Sequence, residues 1–257
     1  MKTIYLIGIG PGGPEYLTMQ AIETLRLIDC FFMLEKDGRG KDELIAARRA
    51  ILARYLPGAN PRVATRTSPE RRMDAEGYRE GVRQWHARKR ELIAEMIEQE
   101  LAEGQRGAFL IWGDPSLYDQ TVSLISELVA MAPEQLELVV IPGITAVQAL
   151  TAAHRIPVNR IGESISITTG RAIAQQDPAS IHNSLVMLDN HAEFQHLAGQ
   201  DLDLYWGAYL GCADQALAAG PLDDISEAVL ARREQLRAQK GWIMDTYLLR
   251  RRREGAD

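Results

Sequence analysis

The feature that most constrains the fold is a regular alternation of strand-like and helix-like segments through the first part of the chain. Apolar runs typical of strands are separated by longer segments in which apolar residues recur at helical spacing. These runs are TIYLIG, CFFML, GAFLIW and LELVVI. Such alternation is typical of βαβ units and predicts a parallel sheet.

Beyond Arg155 the strand-like runs are shorter and no longer alternate regularly with helices. They read ESISITTG, NSLVMLDN, LDLYWGAYL and GWIMDTYLLR. This change predicts a second α/β domain with a mixed sheet. We place the boundary just after the Gly-Asp-Pro turn, which gives an N-terminal domain 1–115 and a C-terminal domain 116–257. Residues 250–257 read as a frayed polar tail.

Composition excludes several classes of protein. The 257 residues suffice for one large domain or two modest ones, and the net charge of −6 argues against a general nucleic-acid binder. The longest apolar runs are far shorter than the roughly 20 residues of a membrane helix. Because the N-terminus enters a strand without a secretory leader, we expect a cytoplasmic protein. Cys30 and Cys212 lack a CxxC or Cys/His pattern, so neither a disulfide framework nor a metal site is expected.

One segment departs from the acidic balance. Between Arg62 and Arg90 there are nine basic residues against four acidic ones. The segment has the charge to receive an anionic substrate, but a solvated helix face with internal ion pairs has the same composition. Both interpretations stay open at this stage.

The first motif, Gly8 to Gly13, satisfies the GxGxxG pattern directly after a strand, with Glu35 at the end of the next one. Such a pattern is typical of dinucleotide-binding loops. Here, however, Pro11 and Pro14 remove two of the backbone donors that a pyrophosphate needs. Thr18 is the natural helix cap, so the helix begins too late to face a pyrophosphate. We therefore reject an oxidoreductase of the Rossmann type; a structural glycine turn remains an alternative.

Two further turns close later strands. Residues 113–118 read Gly-Asp-Pro-Ser-Leu-Tyr and follow the apolar run FLI, where ligands of open parallel sheets collect. Residues 142–146 read Pro-Gly-Ile-Thr-Ala and supply one hydroxyl group, that of Thr145. Asp114 has the chemistry to accept hydrogen bonds from an amine or a ribose, although Asp-Pro is also a common helix start.

Taken together, GIGPGGPEYLT, WGDPSLY and PGITAVQA resemble the motifs of the tetrapyrrole methylase family, in this order and near these spacings. The resemblance covers nearly the whole chain. It implies a two-domain class III methyltransferase fold, with S-adenosylmethionine bound in a cleft between the domains and S-adenosylhomocysteine as product. Further resemblance to one subgroup lies in a long insert before the second turn, with LEKDG, RRMDAEGY and VRQWHARKREL. That subgroup usually carries a Pro-Arg-Asp run where this chain has Arg71-Arg72-Met73-Asp74.

The resemblance also implies roles for individual residues. Those expected to border the cofactor are Pro11, Trp112, Gly113, Asp114, Leu117, Tyr118, Thr145, Ala146, Met187, Leu188, Asp189 and Leu210. Those expected beside the substrate are Gly10, Pro11, Gly12, Arg66, Arg71, Arg72, Arg79 and Arg83, since guanidinium groups bind carboxylates in pairs of hydrogen bonds.

The chemistry implied by the subgroup is methyl transfer to ring position 1 of precorrin-5, with loss of an acetyl group as acetate. Positioning suffices for methylation, because the attacking ring carbon is already electron-rich. Acetate release needs a base, for which the candidates are Asp37, Asp74, His86 and Asp189. His86 is equally well explained as a structural histidine. A homodimer is the family expectation, and no metal, nucleic acid or membrane partner is expected.

Two alternatives remain. One is another methylase of this fold, acting at a different precorrin position or on diphthine or ribosomal RNA. The other is a protein that binds S-adenosylmethionine without catalysis. Acetate released in step with methyl transfer distinguishes the predicted enzyme from both.

Overall fold

The computed structural model describes residues 1–35, 42–70 and 78–252, except for the side chains of residues 42, 43, 78 and 79. The chain divides into two compact units, Met1–Ile144 and Thr145–Asp257. Each contains one five-stranded sheet with helices packed against it. No helix among the described residues is long and apolar enough to cross a membrane.

The first unit is built on a parallel sheet in the order β3-β2-β4-β1-β5. Its strands are β1 (Lys2–Gly8), β2 (Cys30–Glu35), β3 (Val63–Thr67), β4 (Arg106–Ile111) and β5 (Leu136–Ile141). Its helices are α1 (Met19–Leu25), α2 (Asp42–Tyr55), α3 (Tyr78–Glu100) and α4 (Thr121–Met131). The predicted parallel sheet is confirmed, although β3 was not recognised from the sequence.

Helices cover both faces of this sheet, which explains why its strands read as nearly continuous apolar runs. On one face, α1 and α2 pack through Leu25 and Ile51 against Ile7 and Leu110. On the other, α3 and α4 pack through Met96 and Ile125 against β1, β2 and β4. The helices that lead to β2 and β3 thus lie on one face, and those that lead to β4 and β5 on the other.

The second unit contains a mixed sheet in the order β6-β7-β10-β8-β9, in which only β6 and β7 are parallel among the described pairings. Its strands are β6 (Ser166–Thr169), β7 (Asn183–Met187), β8 (Leu202–Ala208), β9 (Ala216–Pro221) and β10 (Asp245–Arg251). Its helices are α5 (Ala146–His154), α6 (Gly170–Ile173) and α7 (Leu222–Lys240). The predicted mixed sheet is confirmed.

The structure corrects three local predictions. The units meet between Ile144 and Thr145 rather than after residue 115, because β5 pairs along β1 and so belongs to the first sheet. Helix α4 begins at Thr121 instead of Leu117, since left-handed Tyr118 (φ 55°) interrupts the turn before it. The predicted tail is partly ordered, because β10 extends to Arg251.

Candidate cofactor and substrate site

Three strand-end turns of the first unit meet at their glycines. Gly113, after β4, donates its N–H to the carbonyl of Gly10, after β1, at 2.8 Å, and Gly10 donates back at 3.3 Å. A Cβ atom on Gly143, after β5, would lie 2.1 Å from the Gly113 carbonyl oxygen and 2.8 Å from the Cα of Gly8. The turns therefore approach each other too closely for any side chain at Gly143.

Asp114 fastens two of these turns together. One carboxylate oxygen accepts hydrogen bonds from the backbone N–H of Ser116 (2.8 Å) and from the Ser116 hydroxyl. The other accepts the N–H of Gly143 at 2.7 Å, which joins the turn after β4 to the turn after β5. Burial by itself would raise the pKa of this carboxyl, but the hydrogen bonds from Ser116 and Gly143 outweigh burial and lower it. Asp114 is thus held as a buried carboxylate brace.

The glycine loop after β1 does not resemble a phosphate site. Thr18 caps α1 by accepting the N–H of Ala21 at 3.1 Å, as predicted, so the helix starts only at Met19. Pro14 instead opens a single turn of 3-10 helix, and Pro11 is buried. Since the loop presents no helix N-terminus directly after its glycines, the rejection of a dinucleotide fingerprint agrees with this geometry.

The turn after β4 leaves free space and an exposed ring. A Cβ atom on Gly113 would meet nothing within 4 Å, so a ligand has room to approach this backbone closely. Tyr118 has a left-handed backbone (φ 55°), yet 44% of the residue is exposed. Trp112 packs against the apolar cluster on the α1 and α2 face. The left-handed backbone of a non-glycine residue such as Tyr118 costs about 1–3 kcal/mol, and such residues are found preferentially at ligand sites.

In the second unit, Thr145 caps α5. Its hydroxyl accepts the N–H of Val147 at 3.1 Å, and the Gln148 side chain accepts the N–H of Thr145 at 3.0 Å. This reciprocal capping box explains why Thr145 follows Pro-Gly-Ile at the start of a helix. Ala146 is the first residue of that helix.

Asp189, which follows β7, lies at the centre of a buried polar network. Its carboxylate accepts the N–H groups of His191 (2.9 Å) and Glu193 (2.7 Å) and the hydroxyl of Tyr247 (2.6 Å). Its backbone carbonyl accepts a hydrogen bond from Arg233, which also pairs with Asp245 at 2.8 Å. With its oxygens engaged in this way, Asp189 is suited to holding a loop rather than to removing a proton from water.

Next to this network, Leu188 repeats the features of Tyr118. It has a left-handed backbone (φ 53°), and 64% of the residue is exposed although its side chain is apolar. Met187 is partly buried at the end of β7, whereas Leu210 is buried beyond β8. Asp189 thus holds the loop that presents Leu188.

The structure favours the simpler interpretation of the basic segment where it describes it. Arg66 pairs with Glu100 at the end of α3 (3.0 Å), and exposed Arg83 pairs with Glu80 (3.5 Å). Arg90 pairs with Glu127 of α4. Arg71 and Arg72 lie outside the described residues, as do Asp37 and Asp74, and the side chain of Arg79 is not described.

His86 differs from these paired residues. Its ring packs against Trp85 at 5.2 Å between ring centroids, and Trp85 donates to the carbonyl of Pro69 at 2.8 Å. The Nε2 atom of His86 is buried without a hydrogen-bond partner among the described residues. A buried ring nitrogen without a partner is costly, so it marks a place where a ligand or water would be bound favourably.

Arg48 on α2 was not recognised from the sequence. It donates from Nε to the carbonyl of Leu110 at 2.9 Å, at the carboxyl end of β4. Its position on the same side of α2 as Ile45 and Ile51, which pack into the core, was the available signal. An arginine within an apolar stripe needs a specific partner, whereas arginines in a charged segment do not.

Comparison with known proteins identifies the family of this chain. A family model described as Tetrapyrrole (Corrin/Porphyrin) Methylases matches residues 3–226. The chain is 41% identical to a precorrin-6A synthase [deacetylating] of Sinorhizobium sp. over all 257 residues and 97% of that protein. It is 27% identical over 172 residues to a uroporphyrinogen-III C-methyltransferase of Cyanidium caldarium, covering 66% of this chain and 57% of that protein.

Solved structures with the same fold include tetrapyrrole methyltransferases. A putative cobalamin synthesis related protein of Corynebacterium diphtheriae is 41% identical and superimposes with a TM-score of 0.82, covering 97% of this chain and 98% of that one. A uroporphyrin-III C-methyltransferase of Thermus thermophilus, solved in complex with S-adenosylhomocysteine, shares the fold with a TM-score of 0.60 at 14% identity, covering 96% of this chain and 97% of that one. The strand-end turns and the full-length similarity together establish that this chain belongs to the tetrapyrrole (corrin/porphyrin) methylase family.

Proposed function

We propose that the chain is an S-adenosylmethionine-dependent C-methyltransferase of cobalamin biosynthesis that converts precorrin-5 to precorrin-6A and releases acetate. The observation that carries this proposal is the 41% identity to a deacetylating precorrin-6A synthase over the whole chain. The similarity to the uroporphyrinogen-III C-methyltransferase of Cyanidium caldarium is lower, at 27% identity over 66% of the chain.

S-adenosylmethionine is the proposed cofactor, and the residues present suit it. In the first unit, open space beside Gly113 and the exposed ring of Tyr118 provide room and apolar surface for a nucleoside or a thioether. Trp112, Leu117 and the Pro11 loop complete the proposed contacts of that unit. In the second unit, the proposed contacts are Thr145, Ala146, Met187, Leu188 and Leu210, with Asp189 as the residue that holds the loop of Leu188.

When bound, the cofactor supplies an electrophilic methyl group on a positively charged sulfur. The contribution of the chain to methylation is to orient the ring carbon in line with that methyl group and to exclude water. The braced glycine turns suit this task, because their backbone positions are fixed by Asp114 and by close packing. Gly10, Pro11 and Gly12 belong to the same braced region and are proposed to border the substrate.

Acetate release requires a group that orients or deprotonates water, and His86 is our candidate among the described residues because its buried Nε2 lacks a partner there. We expect His86→Gln to retain methyl transfer but to lose most acetate release. His196→Gln, at an exposed histidine of the second unit, serves as the control. Equal loss of both products would instead indicate a structural role for His86.

The proposed function is tested by incubating the protein with precorrin-5 and methyl-labelled S-adenosylmethionine. We expect one labelled methyl group at ring position 1 and one acetate per turnover, identified by mass spectrometry and NMR. Methylation without acetate would indicate a methylase for another precorrin position. Cofactor binding without turnover on any precorrin would indicate a non-catalytic binding protein.

Assembly and location are also proposals. We propose a homodimer in the cytoplasm, which agrees with a tetrapyrrole-modifying enzyme of this family. Light scattering on the purified protein tests the first statement, and fractionation of cells that express it tests the second.

A further inference from the structure

Arg48 is a cation held at the carboxyl end of the first sheet. Besides the bond to Leu110, its Nη1 donates to the carbonyl of Leu44 at 3.0 Å, within α2. Burial lowers the pKa of this guanidinium, and the field of Asp119 opposes the shift. An arginine nevertheless remains protonated in proteins, so a full positive charge is present here.

Strands β2 and β4 separate at the position where Arg48 bonds to the sheet. Strands β2 and β4 pair only from Cys30 to Phe32 and from Gly107 to Phe109. Beyond this point β2 continues along β3 to Glu35, and β4 continues along β1 to Ile111. The carbonyl of Leu110 therefore has no partner in β2, and Arg48 takes the place of that partner.

At this opening, the connections that follow the two neighbouring strands leave in opposite directions along the sheet. After β2 the chain passes through α2 on one face to β3, and after β4 it passes through α4 on the other face to β5. Adjacent strands whose connections leave in opposite directions form a crevice outside their carboxyl ends, where open α/β sheets bind ligands.

The charge of Arg48 is not neutralised within the described part of the chain. Among the described residues, no carboxylate lies within 4.0 Å of its guanidinium and no acceptor is bonded to Nη2. Asp119 acts only through its field, and its Oδ1 already accepts the N–H of Thr121 at 2.7 Å. By contrast, Arg66 and Arg83 each have a glutamate partner. A partly desolvated cation without a counter-ion favours an anionic ligand.

We infer that Arg48 binds a carboxylate of the tetrapyrrole substrate in the crevice between β2 and β4. This rests on the proposed function, because it assumes a polycarboxylate macrocycle. The Leu110 carbonyl fixes the guanidinium by one edge, which leaves Nη2 to donate to a carboxylate. Arg48 is thus a substrate-binding residue and takes no part in bond making.

The test uses uroporphyrin, a macrocycle with eight carboxylates, titrated into the full-length protein and followed by quenching of tryptophan fluorescence. We expect Arg48→Gln to raise the Kd for uroporphyrin at least tenfold and to reduce its dependence on salt. Arg48→Lys keeps the charge but loses the planar fork, so we expect a rise of three- to tenfold. Affinity for S-adenosylhomocysteine, measured by calorimetry, should change less than twofold in both variants.

Arg49→Gln is the matched control, because Arg49 is exposed on the same helix. It should leave both affinities within twofold of wild type. The inference is overturned if Arg48→Gln, or Arg48→Lys where the glutamine variant does not fold, binds uroporphyrin with wild-type affinity and salt dependence. A fall in Tm alone would then mean that Arg48 only ties α2 to β4. Failure of the wild type to bind uroporphyrin would also overturn the inference. Failure of the wild type to methylate precorrin-5 would overturn the proposed function, which is a separate result.

Discussion

Both units use a buried aspartate to hold the loop after a strand, but the groups that support the aspartate differ. In each, the aspartate follows the end of a strand and accepts two backbone N–H groups. Asp114, after β4, accepts one from its own loop and one from the turn after β5. Asp189, after β7, accepts both from its own loop. Each loop also presents an exposed apolar side chain on a left-handed backbone, Tyr118 in the first unit and Leu188 in the second.

The supports behind the two aspartates differ. Asp114 is joined to the backbone of Gly143, where close packing leaves no room for a side chain, so this neighbour is fixed by tight backbone contacts. Asp189 is supported by the side chains of Tyr247 and Arg233, so its neighbours are fixed by specific groups. The first arrangement should therefore fail when atoms are added, and the second when atoms are removed.

The largest expected effect is that of Gly143→Ala in the first unit. Its Cβ would lie 2.1 Å from a backbone oxygen, which cannot rotate away, so we expect a loss of roughly 3 kcal/mol or more in the free energy of unfolding. Urea denaturation followed by circular dichroism measures it. Gly104→Ala is the control: it has a positive φ but open space, and should cost only about 1–2 kcal/mol. Equal losses would contradict the role assigned to close packing.

Next in size is Asp189→Ala in the second unit. It leaves two backbone N–H groups and the Tyr247 hydroxyl without their acceptor, and we expect a loss of about 3 kcal/mol from these buried groups together. Asp177→Ala removes an aspartate that accepts one exposed N–H and should cost about 1 kcal/mol or less. Hydrogen exchange resolved by residue should show the loss around β7 and β10. Unchanged protection of those strands would exclude a central role for Asp189.

The contrast between the units also explains what could be predicted from the sequence. The strands of the first sheet, except β3, were recognisable because they are continuous apolar runs that end in glycine turns. Helix α7 and strand β9 were missed. The strand consists largely of small residues, and the helix is strongly charged with few apolar positions. Neither carries a clear hydrophobic period.

For the candidate site, motifs located the turns but not the partners of their side chains. Asp114 was predicted as a cofactor ligand, yet its carboxylate holds Gly143, which is 29 residues away in the chain. Likewise, Asp189 is joined to Tyr247, which is 58 residues away. Sequence spacing does not encode such contacts, since they depend on which strands become neighbours in the sheet. Arg48 was missed for the same reason, because its partner lies on β4.

A smaller effect is expected from Asp114→Ala. Removing the brace frees the turn at Gly143 and the loop that carries Tyr118, so we expect weaker binding of S-adenosylhomocysteine by roughly 1–3 kcal/mol. Calorimetry measures the change in affinity. Asp119→Ala, in the same loop but bonded only to the N–H of Thr121 within the described hydrogen bonds, is the control and should have less effect. Unchanged affinity in Asp114→Ala would remove Asp114 from the site.

The smallest effect is a dependence of stability on pH. It should differ between the two units because a different group titrates in each, His154 in the second and Asp114 in the first. Burial lowers the pKa of His154, which is partly offset by its hydrogen bond to the Trp206 carbonyl at 3.0 Å. Because its folded pKa lies below the unfolded value of about 6.5, the second unit should lose stability as the pH falls below that value. For Asp114, whose folded pKa is also lowered, the loss begins only below about pH 4.

We therefore expect acidification from pH 7.5 to 5.5 to weaken hydrogen-exchange protection near α5 and β8 while that of β1 and β4 stays constant. The difference should be below about 1 kcal/mol, since solvent screens a half-buried ring. His154→Gln should abolish the pH dependence, because glutamine keeps a donor for the Trp206 carbonyl but does not titrate. If both units lose protection together over this range, the acid response does not originate at His154. The expectation that only the second unit responds to acid in this range would then be wrong.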